Sequence, residues 1–164
     1  MAAKTKPRDP LDLPYRPCAG ILLINKDGLV FTAQRLDAPT AWQMPQGGID
    51  KGEAPATAAK RELYEETAIK SVEMLGEAED WLTYDLPPHL LGKALKGKYR
   101  GQSQKWFAMR FVGLDTEIDL DHHDKEFSAW RWSTRAQVIE DIVDFKRTTY
   151  RQVLDALGHH IKPA

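Results

Sequence analysis

A single cysteine, Cys18, leaves this chain without an intrachain disulfide, so its fold rests on packing alone and suits a reducing compartment. Long apolar runs are missing too, since no stretch comes near the roughly 18 residues that a membrane-spanning helix needs. Net charge is scarce, at −1. That excludes polyanion binding through overall charge and confines any phosphate site to local chemistry. Spaced zinc ligands are absent as well. His122-His123 and His159-His160 are adjacent pairs, whereas zinc sites draw on separated Cys and His ligands, so both pairs read as surface histidines. The first residues, MAAKTKPRDPLDLP, hold lysines and prolines but no apolar core of a signal peptide. Residues 1–14 are expected to form a flexible arm, and a cytoplasmic location is the corresponding expectation.

The remaining chain is long enough for one domain with its own core. Cys18–Asn25 reads as a strand, Lys26–Gly28 as a tight turn and Leu29–Arg35 as the hairpin partner. Trp42–Met44 is a short extended piece stopped by Pro45. Gln46–Glu53 carries three glycines in eight residues and reads as a loop with unusual backbone freedom. Ala54–Ile69 is the clearest helix: Pro55 suits its first turn, and Ala58, Ala59, Leu63 and Ile69 form an apolar stripe. Further strands are expected at Val72–Leu75, Asp80–Leu86, Gln104–Val112 and Phe127–Trp132, with helices at Arg135–Ile142 and Phe145–Leu157. Trp130 and Trp132 alternate along their strand and fit sheet packing. His89–Gly101 reads as a glycine- and lysine-rich loop whose Lys93, Lys96, Lys98 and Arg100 make an acid-free positive zone, electrostatically suited to a chain of phosphates. Its Gly92–Tyr99 stretch has P-loop spacing, but Tyr99 stands where Ser or Thr is required, so that motif is rejected. Strands alternating with helices indicate one mixed α/β domain over 15–158, with 159–164 as a C-terminal tail.

The informative helix segment is Arg61-Glu-Leu-Tyr-Glu-Glu66. Glu62, Glu65 and Glu66 stand at i, i+3 and i+4, so their carboxylates share one helix face. Like charges at that spacing oppose the helix by a few tenths of a kcal/mol per pair, and the C-terminal half of a helix disfavours anions. A solvated acidic face is the plainest reading of three such glutamates alone. The preceding Gly47-Gly48 alters it, because backbone groups there can approach phosphate oxygens closely. A hard cation held by the carboxylates, Mg²⁺ or Mn²⁺, then accounts for the cluster.

In these residues the chain resembles the Nudix family, whose signature is G-x5-E-x7-R-E-U-x-E-E-x-G-U with U a bulky aliphatic. Gly47, Glu53, Arg61, Glu62, Leu63, Glu65, Glu66 and Ile69 occupy matching positions, and Ala68 stands where the family has glycine. That glycine ends the helix, so Ala68 implies a less relaxed turn or a slightly longer helix. The resemblance implies a mixed β-sheet sandwiched between helices (α/β/α). It also implies metal-dependent phosphoanhydride hydrolysis, with Glu62, Glu65 and Glu66 as metal ligands and catalytic groups, and Glu53 with Arg61 as a structural ion pair. No organic cofactor is implied.

Further blocks at Trp42–Asp50, Trp81–Pro87, Gly101–Phe107, Glu126–Trp132 and Phe145–Tyr150 are similar to one branch of that family. The branch contains RNA pyrophosphohydrolases and diadenosine tetraphosphate hydrolases. By that resemblance Glu126 is a further metal ligand, and Arg16, Arg35, Gly47 and Gly48 lie at the phosphates. Tyr84 and Phe145 stack on a base, while Gln102, Lys105 and Lys146 contact the polyphosphate or the next nucleotide. The expected substrate is 5′-triphosphorylated RNA, with a dinucleoside polyphosphate as the alternative and no role for DNA or a membrane. A non-catalytic binder of nucleotide ends would have lost a signature glutamate, and none is lost here.

Overall fold

The computed structural model describes residues 9–164; most of the expected arm at 1–14 lies outside them. Eight strands form one mixed sheet: β1 (Tyr15–Ile24), β2 (Val30–Arg35), β3 (Trp42–Gln43), β4 (Gln46–Gly48), β5 (Val72–Glu77), β6 (Leu82–Asp85), β7 (Gly101–Phe111) and β8 (Phe127–Ser133). Three α-helices accompany them: α1 (Pro55–Thr67), α2 (Arg135–Glu140) and α3 (Arg147–Leu157). The central pair, β1 and β7, runs parallel, with Tyr15 opposite Gly101 and Ile24 opposite Arg110. Its β1 half carries β2 on one end and β4 on the other, while β7 carries β5 and β6 in the same manner.

A strand buried on both faces reads as a continuous apolar run, and Ile21-Leu-Leu-Ile24 is such a run. Ile21 and Leu23 join Phe107, Met109 and Phe31 against Ala58, Ala59 and Leu63 of α1. Leu22 and Ile24 join Trp106 and Ala108 on the opposite face, against Val153 and Leu154 of α3 and Val138 of α2. The period-2 alternation of β1 and β7 thus divides one sheet between two cores, giving the α/β/α sandwich. Trp130 and Trp132 pack against Phe31 with centroids 5.9 and 5.7 Å away.

Some boundaries differ from the sequence reading. Gln46–Gly48, expected within a loop, pairs with β1, with Gly47 opposite Ala19 and Gly48 opposite Cys18; glycine's low strand propensity is outweighed by backbone pairing in the sheet interior. β1 begins at Tyr15, ahead of Pro17, whose carbonyl accepts from Ile49 N–H at 2.9 Å. The helix expected from Phe145 starts at Arg147, after a 3₁₀ turn over Asp144–Lys146. Residues 159–164 pack onto the domain, as Ala164 N–H donates to Lys26 O and Arg110 donates to Lys162 O.

α1 ends at Thr67. Ala68 takes the left-handed conformation (φ 64°) and donates its N–H to Tyr64 O at 2.8 Å. A Cβ in that region costs roughly 1–2 kcal/mol, which glycine avoids at some cost in chain entropy. Ala68→Gly is therefore expected to stabilise the protein by about 0.5–1 kcal/mol. Urea denaturation measures this, and a destabilised variant would show that the cap is not strained.

Candidate active site

The strand ends of β1, β2, β4, β6 and β7 converge with α1 and the start of α3 on one cleft of about 1160 Å³. The glycine pair explains how the cleft forms. A Cβ on Gly47 would lie 2.1 Å from the Glu62 carboxylate, and one on Gly48 would lie 2.5 Å from an Arg16 guanidinium nitrogen. Only glycine lets β4 pair with β1 while a carboxylate and a guanidinium lie directly on its backbone.

Arg61 fastens the β4–α1 segment to the helix. Its guanidinium donates to both oxygens of Glu53 at 2.8 and 2.9 Å and to Gly48 O at 2.9 Å. Those bonds hold the Glu53 carboxyl down at about 2 and raise Arg61 in turn. Arg61 Nη1 also reaches Glu62 at 2.9 Å and Glu65 at 3.3 Å. As they stand, no three His, Cys, Asp or Glu side chains among the described residues are gathered as a metal centre.

Glu66 is the anomalous group. It is 4% exposed, and its Oε2 is buried with no hydrogen-bond partner among the described residues, as is Gln46 Oε1. Burial first, then the neighbouring Glu126 and Glu62, pushes its carboxyl well above the ordinary range, with Arg35 pulling weakly the other way. Glu62 is also raised by burial, against the opposing pull of Arg61. A buried, unpartnered carboxylate facing other carboxylates is costly unless a cation joins them. Oxygen donors of this kind fit a hard divalent ion.

Glu126 comes from outside α1. The β2–β8 register shifts between Gln34 and Arg35, so Arg35 pairs with Phe127, and Leu36 N–H donates to Glu126 O at 3.0 Å. That irregularity places Glu126 at the rim beside Arg35. Across the cleft, Arg16, Gln102 and Tyr84 form one row, because Gln102 pairs with Arg16 on one side and Tyr84 on the other. Tyr84 meets Phe145 at 5.7 Å between centroids, and Lys146 Nζ lies 5.7 and 5.8 Å from the two rings. Burial, with Arg35 next in weight, lowers Lys146 to about 8.

Of the residues expected at the site, Glu62, Glu65, Glu66, Glu126, Arg16, Arg35, Gly47, Gly48, Tyr84, Gln102, Phe145 and Lys146 all line this cleft. Lys105 does not. It is one residue out of step with Gln102 and Gln104 along β7, and its ammonium donates to the carbonyls of Ala78 and Glu79. Glu53 and Arg61 form the ion pair behind the cleft. Two features have no sequence signal. Asp37 clamps Arg35 through two bonds of 2.7 Å, and Leu90 and Leu95 form an apolar wall from the segment expected only as a loop. Gln46 had a signal of sorts, in that it directly precedes the glycine pair.

The NUDIX domain family matches residues 14–153. An RNA pyrophosphohydrolase of Cereibacter sphaeroides is 54% identical over 156 residues, covering 93% of this chain and 96% of that protein. Among solved structures, the E. coli dihydroneopterin triphosphate pyrophosphohydrolase superposes with a TM-score of 0.68 at 20% identity, over 85% of this chain and 96% of the other. A C. elegans Ap4A hydrolase gives 0.65 at 23% identity, over 88% and 98%. These two likenesses concern the fold. With the family match and the close relative, the cleft has its setting: the chain belongs to the Nudix hydrolase family.

Proposed function

We propose that the domain over 15–158 is a Mg²⁺- or Mn²⁺-dependent RNA 5′-pyrophosphohydrolase, acting in the cytoplasm to convert 5′-triphosphorylated ends to monophosphates. The observation that carries this reading is a single cleft lined by a buried carboxylate cluster, three cationic side chains and an aromatic pair. The name borne by the 54%-identical relative supports it.

Glu62, Glu65, Glu66 and Glu126 are the oxygen donors for the cation. When bound there, the cation would neutralise phosphate charge and lower the pKa of a coordinated water. Glu62 and Glu65 must turn from Arg61 to take part, and Arg61 keeps its bonds to Glu53 and Gly48 O while they do. One glutamate of α1 orients the attacking water or accepts its proton. Arg16, Arg35 and Lys146 hold the phosphates, with Arg35 exchanging Asp37 for phosphate oxygens. Tyr84 and Phe145 stack on a base.

That stacking accepts any base, which favours dinucleoside polyphosphates as a second reading. Rates on a 5′-triphosphorylated oligonucleotide and on diadenosine tetraphosphate decide between them. The RNA is expected to be cleaved faster, with pyrophosphate or successive phosphates released only with divalent cation present. A large preference for the dinucleotide would reverse the order.

Lys146 adds a pH signature. Arg35, Asp37 and Cys18 are the charged or titratable groups that act on it. A lysine lowered to about 8 is charged below that pH and neutral above it, so phosphate attraction weakens as pH rises through 8. The kcat/KM profile is expected to fall there, and Lys146→Arg, which stays charged, removes that limb. An identical profile in the variant would remove Lys146 from the phosphate site.

A further inference from the structure

The cleft has several walls, and their charges differ. Asp119, Asp121 and Asp124 lead into Glu126 along one wall, with Asp124 lining the cleft. The second presents Asp37 and the third Asp144. The wall built by residues 86–98 has no acidic residue. Its Leu90, Ala94 and Leu95 face the cleft, while Lys93, Lys96 and Lys98 are exposed and make no ion pair among the described residues.

This wall is held in a costly conformation. Leu95 and Lys96 both adopt positive φ, at 54° and 58°, where a side chain costs roughly 1–2 kcal/mol each. A Cβ on Gly97 would lie 2.7 Å from Gly92 O, so the loop is pinched closed at its base. Arg100 anchors its far end through Asp85 at 3.0 and 3.1 Å and Leu11 O at 3.0 Å. Leu95 is thus set against the cleft while the neighbouring lysines stand in solvent.

We infer that this loop is a track for the RNA chain downstream of its 5′ end, with Lys93, Lys96 and Lys98 taking internucleotide phosphates as the strand leaves the cleft over the acid-free wall. The inference rests on the reading of the enzyme as one acting on RNA ends. A phosphodiester backbone repelled by the other three walls is attracted here, and the enzyme gains a preference for chain length that the cleft alone does not supply. Arg100, paired with Asp85, anchors the loop and takes no phosphate.

The test compares 5′-triphosphorylated RNAs of two and twelve nucleotides, between 50 and 200 mM salt, on the wild type and on Lys93→Gln/Lys96→Gln/Lys98→Gln. Wild-type kcat/KM is expected to be higher for the longer RNA by about tenfold, with a steeper salt dependence. In the triple variant that advantage disappears, and the log–log salt slope for the longer RNA drops by about 2, at roughly 0.7 per phosphate released. Rates on the dinucleotide and the melting temperature stay unchanged. Equal losses on both lengths, or no loss on either, would overturn the inference alone. A wild type inert on both RNAs yet active on diadenosine tetraphosphate would overturn the inference together with the RNA reading beneath it.

Discussion

Glu66→Gln is expected to slow turnover on the order of 10³-fold, within the usual range for losing a general base, while raising the melting temperature of the metal-free protein. The two effects share one cause. Glu66 is buried, has an unpartnered carboxylate oxygen, and faces Glu126 and Glu62. Without a cation its charge is a cost to the fold, because desolvation and like-charge repulsion both act against it. A glutamine of nearly equal volume removes that charge, and its amide N–H groups can donate to the remaining carboxylates. Each kcal/mol regained should add about 2–4 °C to the melting temperature. Mg²⁺ should then stabilise the wild type more than the variant, because a ligand that binds only the folded state stabilises in proportion to its affinity. Thermal melts with and without Mg²⁺, beside initial rates, measure both. A variant that is inactive and also less stable would mean that Glu66 is a structural residue, and full activity would remove it from the site.

The carboxylate cluster was legible because helical spacing is arithmetic: i, i+3 and i+4 put Glu62, Glu65 and Glu66 on one face before any coordinates exist. Gly47 and Gly48 were legible as a need for close approach, but not as to what approaches. Their neighbours prove to be Glu62 and Arg16, from elements 14 residues downstream and 32 upstream, and no local rule joins them. β4 was missed for a related reason. Glycine favours no strand by itself, so only β1, already in place, could reveal the pairing. The two cores were implicit in the unbroken apolar run of β1, since burial on both faces demands a layer on each side.

Lys105 shows where resemblance to a block of sequence outruns geometry. Gln102 and Lys105 sit in one short segment, but an odd separation along a strand puts them on opposite faces. The clamp of Asp37 on Arg35 was hidden for another reason. Two residues of opposite charge at i and i+2 in a turn carry no expectation of contact until the bulge at Gln34/Arg35 bends the chain. The wall at Leu90 and Leu95 was illegible because its two left-handed residues are neither glycine nor asparagine, so the sequence gives no sign of the turn.

Phe145→Ala is expected to raise KM for RNA by roughly 5- to 150-fold, which corresponds to the ~1–3 kcal/mol that base stacking on an aromatic ring contributes. kcat and the stabilisation by Mg²⁺ should stay close to wild type. Phe145 is half-buried on a 3₁₀ turn at the cleft mouth, so truncating it opens no core cavity. Tyr84 is only 8% exposed, and Tyr84→Ala would mix lost stacking with lost packing. The two variants therefore separate the roles: Phe145→Ala reports the base contact, and Tyr84→Ala adds a fall in melting temperature. Because Lys146 lies over both rings, losing either also frees its ammonium, and that could tighten phosphate binding. A base-free probe controls for this. Inhibition by tripolyphosphate should be unchanged or slightly stronger in Phe145→Ala, while RNA binding weakens. Unaltered RNA kinetics would make the aromatic pair a structural prop, and equal weakening toward tripolyphosphate would assign Phe145 to phosphate positioning instead.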